Sequence, residues 1–433
     1  MRVRLISIIL LLSIILSACG KNTAGTGSKQ KMPVLNENGK EEITLGLTLV
    51  DEYFKKAIVD YNRQSDKYEI VLYEIPDGMI PIDARKRIQL DLANGKGPDI
   101  LSDGALNECD MTPYAEDGYL MDLTDFVAGY EDLLDCVKDF NTMDGVVYGI
   151  PMAFELVTVA VPSNLDISKN SNTKERWIEL TQDLDGNFGT GGYSVLEHLG
   201  VGVNGVQLFV DEEKGVSHFD TQEFIDLLEF AKRYECFDNG MTLQERILSS
   251  YQLFFAGSIE TFDDFWFYES LFKETPSYIG FPTEDGGKNV IRIGGLYINN
   301  ATEHEEGAKD FLRFILTEEQ QRAIVDNYAG FSVREEVLRK IWQEAKDSPE
   351  TGFINYTKGE LLGVEFEPRV MRDEEEELFF SMLEGNLIYD NRISVISDIV
   401  YEETAPFFEG KKTAKEVARI IDNRVQLYLD EKK

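Results

Sequence analysis

Histidine, cysteine and positive charge are all scarce in this 433-residue chain, which has 3 His, 4 Cys and 43 Lys plus Arg against 79 Asp plus Glu, a formal net charge of -36. Each shortage excludes something. A zinc centre needs clustered nitrogen and sulfur ligands, yet His198, His218 and His304 lie far apart and no two cysteines stand at metal-ligand spacing. No metal and no cofactor are therefore expected. Nucleic-acid affinity comes largely from Lys and Arg displacing counterions, so nucleic acid and anionic lipid surfaces are poor partners for this chain. The same field works against phosphorylated or strongly anionic ligands. Long apolar runs are missing as well: the longest, Leu5 to Leu16, is interrupted by Ser7 and Ser13 and falls short of the roughly 20 residues that span a bilayer. No Gly-x-Ser-x-Gly elbow or His-Glu-x-x-His helix occurs, which removes two common hydrolase signatures.

What is present supports a folded protein. The chain is 43% hydrophobic and 11% aromatic, enough for real cores, and its length suits about two domains. Met1-Arg2-Val3-Arg4 is a cationic start, the apolar run follows, and Leu16-Ser17-Ala18-Cys19-Gly20 closes it with small residues. This resembles a bacterial lipoprotein signal peptide. The resemblance implies that residues 1–18 are removed and that Cys19 carries the lipid, placing the protein on the outer face of the cell membrane. Removal takes away Arg2 and Arg4 and no acid, so the mature chain is more acidic still. Residues 19–40, rich in Gly, Ser, Thr and Lys, read as a flexible stalk. Cys109, Cys136 and Cys236 remain, allowing at most one internal disulfide and leaving at least one thiol.

Beyond the stalk, short β-rich runs alternate with amphipathic stretches, the pattern of an α/β protein. Residues 42–49 alternate like a strand; Tyr53, Phe54, Ala57, Ile58 and Tyr61 recur at helical spacing; residues 68–73 form a second strand. A helix over 84–92 stops at Asn94-Gly95-Lys96-Gly97-Pro98, and Asp99 to Ser102 is a third strand. Such a unit places ligand sites at the carboxyl ends of its strands. Glu155 to Val161 is a β-branched run long enough to cross between lobes, and Pro282, Gly286 and Gly287 suggest a return crossing near Phe281 to Lys288.

Several segments recur together: Leu92-Ala93-Asn94-Gly95-Lys96-Gly97-Pro98-Asp99-Ile100, Tyr114 to Leu123, Gly145-Val146-Val147-Tyr148-Gly149-Ile150-Pro151-Met152, Phe255-Ala256-Gly257-Ser258-Ile259-Glu260, Gly294-Gly295-Leu296-Tyr297-Ile298 and Ala308 to Thr317. Their order and spacing resemble the family 1 extracellular solute-binding proteins of ABC importers, from about residue 42 to 335. The resemblance implies a bilobed, type II periplasmic-binding-protein-like fold: residues 41–155 plus 288–335 in one lobe, 156–287 plus 336–433 in the other, joined by a hinge. It also implies a monomer that binds a small solute, a neutral monosaccharide or oligosaccharide, delivers it to ABC permease subunits and does no chemistry.

Sugar sites pair aromatic rings, which cover pyranose faces, with carboxylates or amides that satisfy hydroxyls. Phe262-Asp263-Asp264-Phe265-Trp266-Phe267-Tyr268 is the densest such cluster. A buried helix start with Asp263 or Asp264 as N-cap is its plainer reading, but seven such residues are not expected all to face inward, so Phe262, Asp263 and Trp266 are ligand candidates. Glu155 stands where the resemblance places a ligand carboxylate. Asp51 and Tyr53 follow the first strand, and Asp103 and Asn107 follow the third. Gly295 would allow close backbone approach, whereas Tyr297 reads as packing. Gly200-Val201-Gly202-Val203-Asn204-Gly205 fits the dinucleotide fingerprint but follows a helix and precedes a strand, the reverse of the required order, so it reads as a loop. The acid run Asp373 to Glu377 reads as a helix amino end favoured by the macrodipole. Two rival functions share these residue types: a secreted carbohydrate-active hydrolase, and a sensor lipoprotein that keeps the binding fold.

Overall fold

The computed structural model describes residues 34–47, 52–76, 79, 81–103, 111–138, 140–181, 195–196, 199, 209–211, 214–234, 240–283, 285–327, 330–349, 359–385, 387–389 and 395–431. The strands, numbered in chain order, are β1 (Glu41–Gly46), β2 (Tyr68–Leu72), β3 (Ile100–Ser102), β4 (Thr142–Met143), β5 (Val146–Val147), β6 (Gly149–Val161), β7 (Val210–Asp211), β8 (Val216–Ser217), β9 (Phe255–Ile259), β10 (Ser277–Tyr278), β11 (Phe281–Thr283), β12 (Gly286–Lys288), β13 (Val290–Ile298), β14 (Phe331–Ser332), β15 (Gly359–Leu361), β16 (Val364–Phe366) and β17 (Ile388–Tyr389). Nine of them form one sheet with the path β10-β6-β13-β3-β1-β2, with β9 and β14 also on β6 and β17 on β13. The remaining eight make four two-stranded ribbons.

The first strand-helix-strand units form as their patterns dictate. In β1, Ile43 and Leu45 are fully buried while Glu42 is exposed and Thr44 half-buried, the alternation of a half-buried strand. Helix Glu52–Gln64 buries Tyr53, Phe54, Ala57 and Tyr61 along one face, the three-and-four spacing of an amphipathic helix. Helix Pro81–Ala93 ends where Gly95 takes a left-handed conformation at φ +65°, the usual glycine exit. Pro98 then leads to Asp99, whose Oδ2 accepts from the Thr44 N–H at 2.8 Å and from the Thr44 hydroxyl at 2.6 Å. Its Oδ1 accepts from the Thr302 hydroxyl at 2.5 Å. The Gly-Pro-Asp turn thus fastens β1 to the loop that follows β13.

β1 pairs in parallel with both β2 and β3, whereas β13 runs antiparallel to β3 and β6. β6 and β13 are the long connections. Ile150, Phe154 and Leu156 of β6 pack in a first core and Val157, Val159 and Val161 in a second. β13 does likewise, with Val290 in the second core and Ile291, Leu296 and Ile298 in the first. The return crossing is therefore β13 at 290–298. Residues 281–288, expected to make it, instead close on themselves as the β11–β12 ribbon, with Thr283 opposite Gly286 and Pro282 opposite Gly287. A small third core, with Ile88, Leu92, Leu120 and Tyr297, lies beside the first.

Helices Asp263–Phe272, Glu335–Asp347 and Asp373–Leu383 belong to the first core. Interlocked rings explain this: Phe262 meets Trp342 edge-on at 4.7 Å, and Phe331 lies 4.7 Å from Phe379. The acid run does open a helix, Asp373–Leu383, with the Glu375 carboxylate accepting from the Arg372 N–H at 2.9 Å. Residues 200–205 lie outside the described residues.

Candidate functional site

All thirteen positions of β6 are buried except Glu155, which is half-buried. A charge at the one open position of a crossing strand is the natural starting point for a site. The antiparallel register sets Glu155 opposite Arg292 on β13, and Leu156 opposite Ile259 on β9. Glu260, one residue beyond Ile259, continues that register and faces Glu155 from the other side. The result is a row across three strands. Arg292 Nη1 donates to Glu155 Oε1 at 2.9 Å and to Ser258 Oγ at 3.3 Å. At the end of the row, Asp264 Oδ2 accepts from the backbone N–H groups of Glu260 and Thr261, each at 2.8 Å.

The electrostatics follow from this crowding. Burial pushes the Glu260 carboxyl up to about 7, reinforced by its hydrogen bond with Glu155 and by the charges of Glu155 and Asp264. Burial likewise raises Asp264 to about 6, against the pull of the N–H groups that it accepts. Asp263 rises to about 7, from burial first and the charge of Asp264 second. Each is the response of a carboxyl placed where its charged form is costly.

Of the residues proposed from sequence, Glu155 joins this row. Asp103 and Gly295 meet each other, with Asp103 Oδ2 accepting from the Gly295 N–H at 2.7 Å. They sit three residues farther along β13, about 10 Å away at the usual rise of a strand. The space that Gly295 provides is filled by the chain's own rings, since a Cβ there would lie 2.5 Å from Phe140 and 2.9 Å from the Tyr297 hydroxyl. Tyr297 is fully buried, its hydroxyl accepting from the Asn141 amide. Tyr53 packs in the first core, edge-on to Phe54 at 5.5 Å, away from the row. Asp51, Asn107 and Cys19 lie outside the described residues.

The aromatic cluster packs into the first core. Of Phe262 to Tyr268, Asp264 is half-buried and the rest are buried; Phe262 is 0% exposed and Trp266 2%. The rings are enclosed by rings from other elements: Phe262 packs on Phe331 and Trp342, Phe265 on Trp342 and Phe379, Phe267 on Phe255 and Phe366. In this conformation the rings of Phe262 and Trp266 are buried in the first core. Nor does either acid cap the helix, because the N-cap is Phe262, with no side-chain bond. Asp263 is buried with Oδ1 lacking any hydrogen-bond partner.

Sequence reasoning missed Glu260, Asp264 and Arg292 as partners of Glu155. A usable signal existed for Arg292, the lone charge in the apolar run Val290-Ile291-Arg292-Ile293. Together the row offers carboxyl acceptors, a guanidinium donor and the Ser258 hydroxyl, a set that matches vicinal hydroxyls. Among the described residues, no group of three or more His, Cys, Asp or Glu is arranged to hold a metal ion. No described helix is long and apolar enough to cross a membrane.

The profile of the bacterial extracellular solute-binding proteins matches residues 56–350. The chain belongs to that family. Membership places this solute-binding protein outside the cytoplasm and among binding proteins. No curated protein matches the sequence. Solved structures carry the fold much farther than sequence does. The sugar-binding protein MalE from Xanthomonas citri superposes with a TM-score of 0.59 at 13% identity, covering 90% of this chain and 98% of that one. The GacH receptor of Streptomyces glaucescens, solved unliganded and with acarbose, gives 0.55 at 13% identity, covering 90% and 99%. Maltose-bound MalE3 of T. maritima gives 0.53 at 16% identity, covering 89% and 99%. The solute-binding protein described here therefore has the bilobed α/β fold of the MalE-type periplasmic binding proteins, and β6 and β13 are its long inter-core strands.

Proposed function

We propose that this solute-binding protein captures a neutral carbohydrate beside the Glu155 row and presents it to an ABC permease, anchored to the outer face of the membrane through a lipid on Cys19. The observation that carries the proposal is the placement of Glu155. It is the only open position on a strand that passes from one core to the other, and it sits in a hydrogen-bonding row that can pair with hydroxyls. Structures of the same fold hold acarbose, maltose and maltotriose, which supports a carbohydrate as the solute class. The strong negative charge of the chain agrees with a neutral ligand. The lobes, as drawn from sequence, close on the ligand, and closure is driven only by contacts that the open state lacks. No chemistry is performed.

Isothermal titration against maltose, maltotriose, acarbose and tagatose tests the reading. Binding to at least one is expected, and Glu155→Gln should weaken it about tenfold, about 1.4 kcal/mol. An absence of heat with every carbohydrate, or an unchanged affinity in the variant, refutes the carbohydrate site. Turnover of a chromogenic glycoside that is lost in Glu155→Gln would instead favour a hydrolase. Globomycin-sensitive processing, abolished by Cys19→Ala, tests the anchor.

A further inference from the structure

The glycines on the three strands of the row are there for different reasons. A glycine inside a strand weakens it, and marks a bulge, a crowded spot or a place where a ligand or another backbone comes close. Crowding accounts for three of the four on β6, β9 and β13. A Cβ at Gly149 would lie 2.4 Å from the Tyr297 ring, one at Gly257 2.4 Å from the Tyr268 hydroxyl, and one at Gly295 2.5 Å from Phe140. Gly294 is the fourth, and a Cβ there would meet Met152 Cε at 3.8 Å and the Ala153 carbonyl oxygen at 3.9 Å, ordinary van der Waals separations. The register shifts between Gly294 and Gly295, but a bulge demands glycine where a residue turns left-handed, and the φ of Gly294 is not positive. The chain's own packing thus leaves room at this position for a methyl group that the sequence does not supply.

Strand geometry says where that room lies. Arg292 stands opposite Glu155 and Gly294 opposite Ala153, and residues two apart on a strand share a face, about 7 Å from each other. Gly294 therefore lies on the face that carries Arg292, one step from the row, and like Arg292 and Glu155 it is half-buried. We propose that Gly294 is the surface on which the bound solute rests: the missing side chain lets the flat face of a sugar ring come down on the backbone of β13 while its hydroxyls reach the Glu155 row. This role rests on a carbohydrate being the solute. It makes Gly294 a determinant of specificity, because the height of whatever occupies position 294 sets how close a ring comes to Glu155 and Arg292. The neighbouring glycine has no such part, since the space at Gly295 is taken by Phe140 and the Tyr297 hydroxyl.

Calorimetry against maltose, maltotriose, acarbose and tagatose, with thermal unfolding of the same proteins without ligand, tests this on the whole chain carrying Gly294→Ala, Gly294→Val or Gly295→Ala. Gly294→Ala should keep at least the native Tm, since alanine is the better strand residue where it fits, whereas Gly295→Ala should lower it. Every carbohydrate that the native chain binds should bind at least about tenfold more weakly to Gly294→Val, the scale of one methylene too many in a fitted pocket, with a smaller loss for Gly294→Ala. A Tm for Gly294→Ala that falls as far as that of Gly295→Ala would show that the fold itself needs the glycine and overturns the proposal. So does an affinity that Gly294→Val leaves unchanged, an outcome in which binding by the native chain still upholds the carbohydrate reading. No heat from the native chain with any of the four sugars refutes that reading, and the role of Gly294 with it.

Discussion

Replacing Asp263 by asparagine should convert a pH-dependent protein into a less dependent one at a calculable cost. Asp263 is 8% exposed, its Oδ1 has no hydrogen-bond partner, and burial pushes its carboxyl from the ordinary 3.8 to about 7. The folded value lies above the unfolded one. The folded state therefore has its full stability below the unfolded value, near pH 4, and loses it as the pH rises through about 7. A gap of about three units at 1.36 kcal/mol each gives a loss of about 4 kcal/mol across that interval from this one group. An asparagine side chain has the same shape and no charge to bury, but its amide brings donors into a place without acceptors, at about 1–3 kcal/mol. The Asp263→Asn variant should thus be the less stable protein at about pH 4.5 and the more stable one at about pH 8, with the two stability curves crossing between. Urea unfolding at intervals across this range measures it. Parallel curves, with the variant below the native chain throughout, would show that Asp263 stays charged and finds partners in solution.

Other substitutions report on the rest of the framework. Glu375 is buried and accepts from Arg369 Nη1 at 3.0 Å and Arg372 Nη2 at 2.8 Å. Burial alone would raise its carboxyl, but these bonds and the Arg372 N–H hold it below its usual value. Its stabilisation is present above about pH 4.5 and lost as the pH falls below. Glu375→Gln should cost about 3 kcal/mol at neutral pH and blunt the acid limb of the unfolding profile; a variant as stable as the native chain refutes this. Trp342→Ala empties a fully buried site between Phe262, Phe265 and Phe379 and should cost about 3–5 kcal/mol, read as a lower urea midpoint. At Gly287 an added Cβ would lie 1.8 Å from the Ile279 carbonyl oxygen. Gly287→Ala should therefore cost at least about 1–3 kcal/mol, whereas alanine at the open Gly118, strained only by its φ of +75°, should cost less by the same measurement.

Local pattern carried the opening units and the acid-run helix into the structure almost unchanged, because alternation, amphipathic spacing and a Gly-Pro stop act within a few residues. Glu155 was legible for a similar reason, as the one acid in a β-branched run. Glu260 was not, and Arg292 stood out only as a lone charge, since what makes them its neighbours is a register joining strands more than a hundred residues apart. The aromatic cluster misled in the opposite way. Sequence spacing assigns faces to a helix only when one side is polar, and Phe262 to Tyr268 offers no such side beyond the adjacent Asp263 and Asp264. Tertiary neighbours, above all Trp342 and Phe379, decided that those rings would be enclosed. The same rings drew helices Asp263–Phe272 and Glu335–Asp347 into the first core, an allegiance that no linker or composition shift announced.

β6 has a consequence for the order in which the chain can assemble. Its partners β9, β10, β13 and β14 all lie downstream, between residues 255 and 332, so a thirteen-residue strand buried on both faces must wait for every neighbour. At roughly 5–20 residues per second of synthesis, the pairing with β13 becomes available about 6–26 s after β6 is made. Throughout that interval this apolar strand has no edge to join, and Pro151 and its single charge, Glu155, are the interruptions along its length that discourage pairing with another copy of itself.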